Sequence, residues 1–177
     1  VPSALNYSQW STFRQQQVNE TVKRATALIR QNYPYIKTSV AVVSDLSDAK
    51  SNKLQDWYNW IQNGYIDIIE LMAYHYDSTL VKQDTETLKK LSKTMTFNYT
   101  GISPTYNSLP LKENAYQIEA ANAGGAHGSM YFAGHNIVNN PSVATLLQQS
   151  VYRLPNVLPH DDVNIVMMGQ FSEILYK

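Results

Sequence analysis

The sequence predicts an α/β protein: four β/α units in succession behind one leading helix, the arrangement of strands 5 to 8 of a (β/α)8 barrel. Three observations predict it. Apolar, β-branched runs fall at 36–43, 66–74, 98–103 and 127–133, each followed by helical periodicity. They recur about every 30 residues, the rhythm of right-handed crossovers between parallel strands. The chain's 177 residues suffice for one core but fall below the ~250 of a complete barrel. The expectation is a partial (β/α)8 barrel, with residues 1–160 as its C-terminal half; some other α/β fold is the alternative. Residues 161–177 read as a tail, either a last strand or the start of a following domain.

The elements follow in order. Residues 13–32 carry Val18, Val22, Ala25 and Ile29 at helical spacing, with Glu20, Lys23, Arg24 and Arg30 largely opposite, and the helix stops before Pro34. The run from Ile36 to Val43 becomes almost continuously apolar, as in a parallel strand buried on both faces. Residues 52–63 repeat the helical pattern through Leu54, Trp57, Tyr58 and Ile61, and Gly64 stands where a left-handed cap is wanted. After the strand at 66–74 come polar aromatic residues and a helix near 85–95 built on Leu88, Leu91 and Met95. The strand at 98–103 is broken by Pro104, and a helix over 111–122 is closed by Gly124-Gly125. Following the fourth strand, Asn140-Pro141 reads as a helix start with a side-chain cap and proline in the first turn. Pro155 and Pro159 bracket a linker.

Composition excludes some partners. Fourteen basic residues balance fourteen acidic ones, so no electrostatic footprint argues for nucleic acid or an anionic membrane. A neutral, sugar-like partner fits better. Cysteine is absent, which removes disulfides and thiol nucleophiles. No apolar run approaches the roughly 18 residues of a membrane span. The chain opens at Val1 without a charged and apolar leader, so any signal or anchor is expected to have been removed earlier.

Trp10, Arg14, Val18-Asn19, Lys23-Arg24, Pro34 and Lys37 resemble the segment leading into the fifth strand of the glycosyl hydrolase-like 10 family. Trp57, Trp60, Gly64, Asp67 and Tyr74 are similar to its tryptophan-rich helix and the following Gly-x-(Ile/Val)-Asp strand. Gly101, Tyr106, Gly128 and Phe132 fall where its seventh and eighth strands would lie, and Tyr152, Pro155 and Pro159 resemble its closing stretch. The likeness spans about residues 10–160, carried by the order and spacing of these motifs. Leu71, Met72 and His75 depart from the family pattern around the sixth-strand tyrosine. The resemblance implies a bacterial, extracellular or lipid-anchored barrel related to glycoside hydrolases, with its acidic residues at the end of the fourth strand, upstream of Val1.

Chemistry in such barrels sits on the loops after the strand C-terminal ends. Glycoside hydrolysis uses two carboxyl groups across the scissile bond. The catalytic candidates are Glu70, placed by alternation on one strand face with Met72 and Tyr74, and Asp45, after the first strand. Asp45 is also the residue type that caps a helix, and Glu70, if interior, needs solvent or a partner. Candidate substrate-binding residues are Tyr74, whose ring can stack on a sugar, together with Asp77, Tyr106, His135 and Asn136. His75 and Asp77 form a His-x-Asp pattern, but two ligands without a third do not make a metal site. Trp57 and Trp60, three apart on a helix, read as core rather than as a carbohydrate platform, and the Asn-x-Ser/Thr matches at Asn6, Asn19 and Asn98 read as chance.

The expected function is that of a partial glycoside hydrolase acting on a cell-wall or other glycan, inactive alone because its acid lies elsewhere, with neither cofactor nor metal. The alternatives are a saccharide-binding barrel without catalysis and a structural module that assembles through its exposed strand edges, with a second copy or the missing half of the barrel.

Overall fold

The computed structural model describes residues 6–103 and 109–154. Eleven elements alternate along them: α1 (Tyr7–Asn32), β1 (Ser39–Val43), α2 (Leu46–Ser51), α3 (Trp57–Gln62), β2 (Ile68–Met72), α4 (Ser78–Ser92), β3 (Phe97–Ile102), α5 (Leu111–Ala123), β4 (Gly128–Tyr131), α6 (His135–Val138) and α7 (Pro141–Gln149). The four strands form one parallel sheet in the order β1-β2-β3-β4. Each strand therefore lies next to its sequence neighbour, and right-handed crossovers of that kind put every connecting helix on the same face. The arrangement is consistent with the partial (β/α)8 barrel expected from the sequence.

The core lies between the sheet and its helices. Val42, Ile69 and Leu71 pack with Trp57, Ile61 and Leu88, and Val18 and Val22 of α1 close over that cluster. Further along, Ile102 meets Ile118, Val143 and Leu147. Each such side chain, fully buried, contributes about 1.5–3 kcal/mol. Between the two clusters Thr85 and Thr100, both buried, bond each other at 2.9 Å, satisfying hydroxyls that would otherwise be costly there. By alternation the opposite face carries the row Ala41–Glu70–Tyr99–Gly128 and, one layer higher, Met72–Gly101–Met130.

Strand boundaries are tighter than expected. The Thr38 amide donates to the Asp67 carboxylate at 2.8 Å, which ends the ladder before β1 and β2 on that side. At the other end the Ala73 amide is shared between Gly101 O of β3 at 3.2 Å and Leu71 O at 2.9 Å, and the His75 amide bends back to Ala73 O at 3.0 Å, so the regular strand ends at Met72. The helix expected over 52–63 is shortened to α3, and a separate helix that was not expected, α2, precedes it. Asp45 caps α2, the chain turns through Leu54 at φ 60°, and α3 begins at Trp57. Apolar spacing continued through Leu54 and concealed that turn.

Both α1 and α4 start earlier than their apolar stripes. Tyr7, Trp10 and Phe13 are exposed, so the first turns of α1 carry no core pattern. α4 begins beyond the Asp77 cap, seven residues before Thr85. α6 was not expected, and Asn140 forms no side-chain cap, although Pro141 does open α7. Gly64 adopts the expected left-handed conformation, φ +63°, and closes α3 with the Tyr65 amide bonded to Trp60 O. The linker at Pro155 and Pro159 and the tail at 161–177 lie outside the described residues.

The free edge of β1 is partly closed by side chains. Thr38 O accepts from the Ile68 amide, so alternation directs the peptide groups of Val40 and Val42 at β2 and those of Ser39, Ala41 and Val43 outward. Val43 N–H donates to Gln55 Oε1 at 3.0 Å, and Val43 O accepts from the Trp57 indole at 3.1 Å. Both outward groups of the last β1 residue are thereby satisfied without a neighbouring strand.

Candidate active site

The C-terminal ends of the strands converge on one end of the sheet. Tyr74, two residues beyond β2, is half-buried and stacks on Phe132, just past β4, with ring centroids 6.2 Å apart and planes inclined at 27°. Phe132 is 63% exposed, so the pair offers solvent an aromatic surface spanning the width of β3. Burial and the Glu70 charge beneath it push the Tyr74 hydroxyl above its ordinary pKa, keeping it a neutral donor. Glu70 is half-buried on the helix-free face and makes no hydrogen bond or ion pair with a described residue.

The close approach of strands around this surface depends on small residues. A Cβ at Gly101 would lie 2.9 Å from Leu71 O, and one at Gly128 would lie 2.7 Å from the Tyr99 ring, which leans over β4 and is itself buried.

The other sequence candidates are more dispersed. Asp45 accepts from the Asp48 amide at 2.6 Å as the cap of α2. Asp77 caps α4, accepting from the Thr79 amide at 2.7 Å, and that hydrogen bond holds its carboxyl below the usual carboxylate range. His135 is exposed at the start of α6. Asn136 lines a cavity of about 410 Å³ with Leu111, Asn114 and Asn140, among the helices that follow β3 and β4. Tyr106 lies outside the described residues. The structure thus brings together Tyr74 and Glu70, sets Asn136 and His135 beyond β4, and occupies Asp45 and Asp77 in helix caps.

His75 pairs not with Asp77 but with Asp84, Nε2 to Oδ2 at 2.7 Å, and its carbonyl accepts from Gln117 at 2.8 Å, tying β2 to α4 and α5. Among the described residues no cluster of three or more potential ligands could hold a metal. No helix among them is long and apolar enough to cross a membrane. Trp57 and Trp60 are core residues, their indoles donating to Val43 O and to Asn19 Oδ1. Asn98 is buried and bonded to Ser92 at 2.7 Å.

Phe132 and Met130 are site-face residues that no single motif marked as such. Met72 was already placed on that face by alternation, and carrying the alternation across the strand register from Met72 through Gly101 would have found Met130.

A parallel sheet singly wound by helices, with an aromatic pair just past its strand C-terminal ends and a carboxylate within β2, defines an α/β protein consistent with part of a TIM-type barrel. The family model for glycosyl hydrolase-like 10 matches residues 1–123, and the chain belongs to that family. The match covers α1 through α5 and ends before β4, short of residue 160, to which the resemblance in the sequence extends. Comparison with curated proteins and with solved structures gave no match.

Proposed function

We propose that this chain forms the sugar-binding wall of a glycoside hydrolase acting on a polysaccharide or cell-wall glycan, and that it does not hydrolyse alone. The observation that carries the reading is the Tyr74–Phe132 pair at the strand ends, above Glu70. Aromatic rings bind the apolar face of a pyranose while a hydroxyl such as that of Tyr74 donates to its oxygens. Asn136 and the exposed His135 extend the polar surface beyond β4.

Hydrolysis needs two carboxyl groups roughly 5–10 Å apart. Asp45 and Asp77 are committed to helix caps, which leaves Glu70 as the one inner-face carboxylate among the described residues of the four strands. The second acid is therefore assigned to barrel strands that pair with the edges of this sheet, at Ser39 and Ala41 of β1 and along β4. Catalysis on a cell-wall glycan places the protein outside the cell membrane, the setting expected from the family resemblance.

The test is release of reducing ends from a panel of bacterial and plant glycans, by this chain and by a longer polypeptide that adds further barrel strands. Activity in the longer form only, lost on changing a carboxylate in the added strands, is the expected result. Hydrolysis by this chain alone would overturn the division of labour, and saturable binding with no hydrolysis in either form would favour a sugar-binding barrel.

A further inference from the structure

At the opposite end of the sheet, a cavity of about 260 Å³ opens beneath the strand N-termini, lined by Lys37, Asp67, Lys89, Lys93, Phe97 and His127 among others. Lys37 precedes β1, Asp67 precedes β2 and His127 precedes β4, while Lys89 and Lys93 lie at the C-terminal end of α4. Charge here is unbalanced. The Asp67 carboxylate is already matched by Arg30 Nη2 at 3.1 Å and by the Thr38 amide and hydroxyl, both at 2.8 Å. Lys37, Lys89 and Lys93 form no ion pair with any described residue.

The simplest account of two of these lysines is that they answer the negative end of α4. That end is worth roughly half an elementary charge, screened by solvent and largely confined to the last turn. Three ammonium groups exceed it several-fold, and a surplus of positive charge around one concavity remains. His127 adds a directed donor: its Nδ1 accepts from the Asn98 amide at 3.0 Å, so the neutral ring carries its proton on Nε2. Thr94 and Thr96 add hydroxyls to the lining.

We propose that this cavity binds a tetrahedral oxyanion, sulfate or phosphate, either free or as the ester group of a substituted sugar. The site lies at the end of the sheet away from Tyr74 and Phe132 and stands independently of the glycan reading. Burial, and after it the neighbouring Lys89 charge, lower the pKa of His127. An anion seated among the lysines reverses part of that effect. His127 then becomes more basic, and by linkage the anion binds more tightly as pH falls. The charged groups facing His127 around the cavity are Lys37, Asp67, Lys89 and Lys93.

The experiment is an NMR titration of the imidazole signals of His127 with sodium sulfate at constant ionic strength, balanced with sodium chloride. Sulfate does not titrate in this range, so any pH trend belongs to the protein. A saturable shift, a raised His127 pKa, and binding weakened about tenfold in each of Lys89→Gln and Lys93→Gln are expected, the loss of one charge-assisted hydrogen bond. Parallel titrations with inorganic phosphate and glucose 6-phosphate separate the two sources: tighter binding of the ester assigns a substituted sugar, equal binding assigns the free anion. A linear response equal to that of chloride, or an affinity unchanged in both lysine variants and in Lys37→Gln, overturns the proposal.

Discussion

Replacing Trp57 by phenylalanine tests how the edge of the sheet is held. Trp57 is 1% exposed, and its indole N–H donates at 3.1 Å to Val43 O, a carbonyl that points away from β2 and meets no other strand among the described residues. Phenylalanine keeps most of the apolar contact with Val42, Ile61 and Leu71 but removes the donor and leaves a gap where the larger ring ended. The lost hydrogen bond costs about 1 kcal/mol and the stranded carbonyl somewhat more. The volume change adds about 1 kcal/mol, well short of the 3–5 kcal/mol of a tryptophan-to-alanine change. We expect a total of about 2–3 kcal/mol. Trp60→Phe is the internal control: it carries the same volume change, but its indole bonds Asn19 Oδ1 at 2.6 Å, and Asn19 is half-buried on α1 and can turn to water, so a smaller loss of about 1–2 kcal/mol is expected. Urea unfolding followed by far-ultraviolet circular dichroism is the assay, because each substitution removes a fluorescent reporter. A Trp57→Phe loss under about 0.5 kcal/mol, or one no larger than that of Trp60→Phe, would refute the argument that the indole closes the edge.

Other outcomes follow from the same contacts. Gly101→Ala brings a methyl group within 2.9 Å of Leu71 O in the middle of the sheet, and the overpacking, about 1–3 kcal/mol, outweighs the roughly 0.5–1 kcal/mol that alanine gains over glycine in chain entropy; urea midpoints check it. Asp45→Ala removes the acceptor of the Asp48 amide and lowers stability by about 1 kcal/mol, measured the same way. Burial alone would raise the pKa of Asp67, but the Thr38 hydrogen bonds and the Arg30 charge hold it below the ordinary value. Its contribution is therefore present above the unfolded pKa near ~4 and lost as pH falls through the folded one. Asp67→Asn should flatten the fall in urea midpoint between about pH 5 and 2, and an unchanged slope would contradict the assignment.

Much of this fold was legible because its signals are local. The β-branched runs gave four strands at nearly the right places, and Gly64 and Gly124-Gly125 marked helix ends by backbone chemistry alone. What escaped depends on contacts distant in sequence. Nothing near Ile36 announces that Thr38 will bond Asp67 and delay β1, and Leu54 keeps helical spacing while sitting in a turn. The site was legible in part for the same reason. Alternation placed Glu70 and Tyr74 on one face, but the partner of Tyr74 is Phe132, 58 residues on, and only the strand register brings the two together. Asp77 carried the right chemistry for a sugar contact, yet it also begins a helix, and capping is the local demand its carboxylate meets.

The central claim is that the Tyr74–Phe132 surface is a sugar-binding wall, and calorimetric titration of a panel of soluble cell-wall and plant oligosaccharides tests it most directly. The account predicts saturable binding of at least one class by the unmodified chain, weakened about fivefold or more in both Tyr74→Ala and Phe132→Ala, from a stacking contribution of about 1 kcal/mol or more. Equal binding by the unmodified chain and both variants, or no binding of any member of the panel, would contradict it.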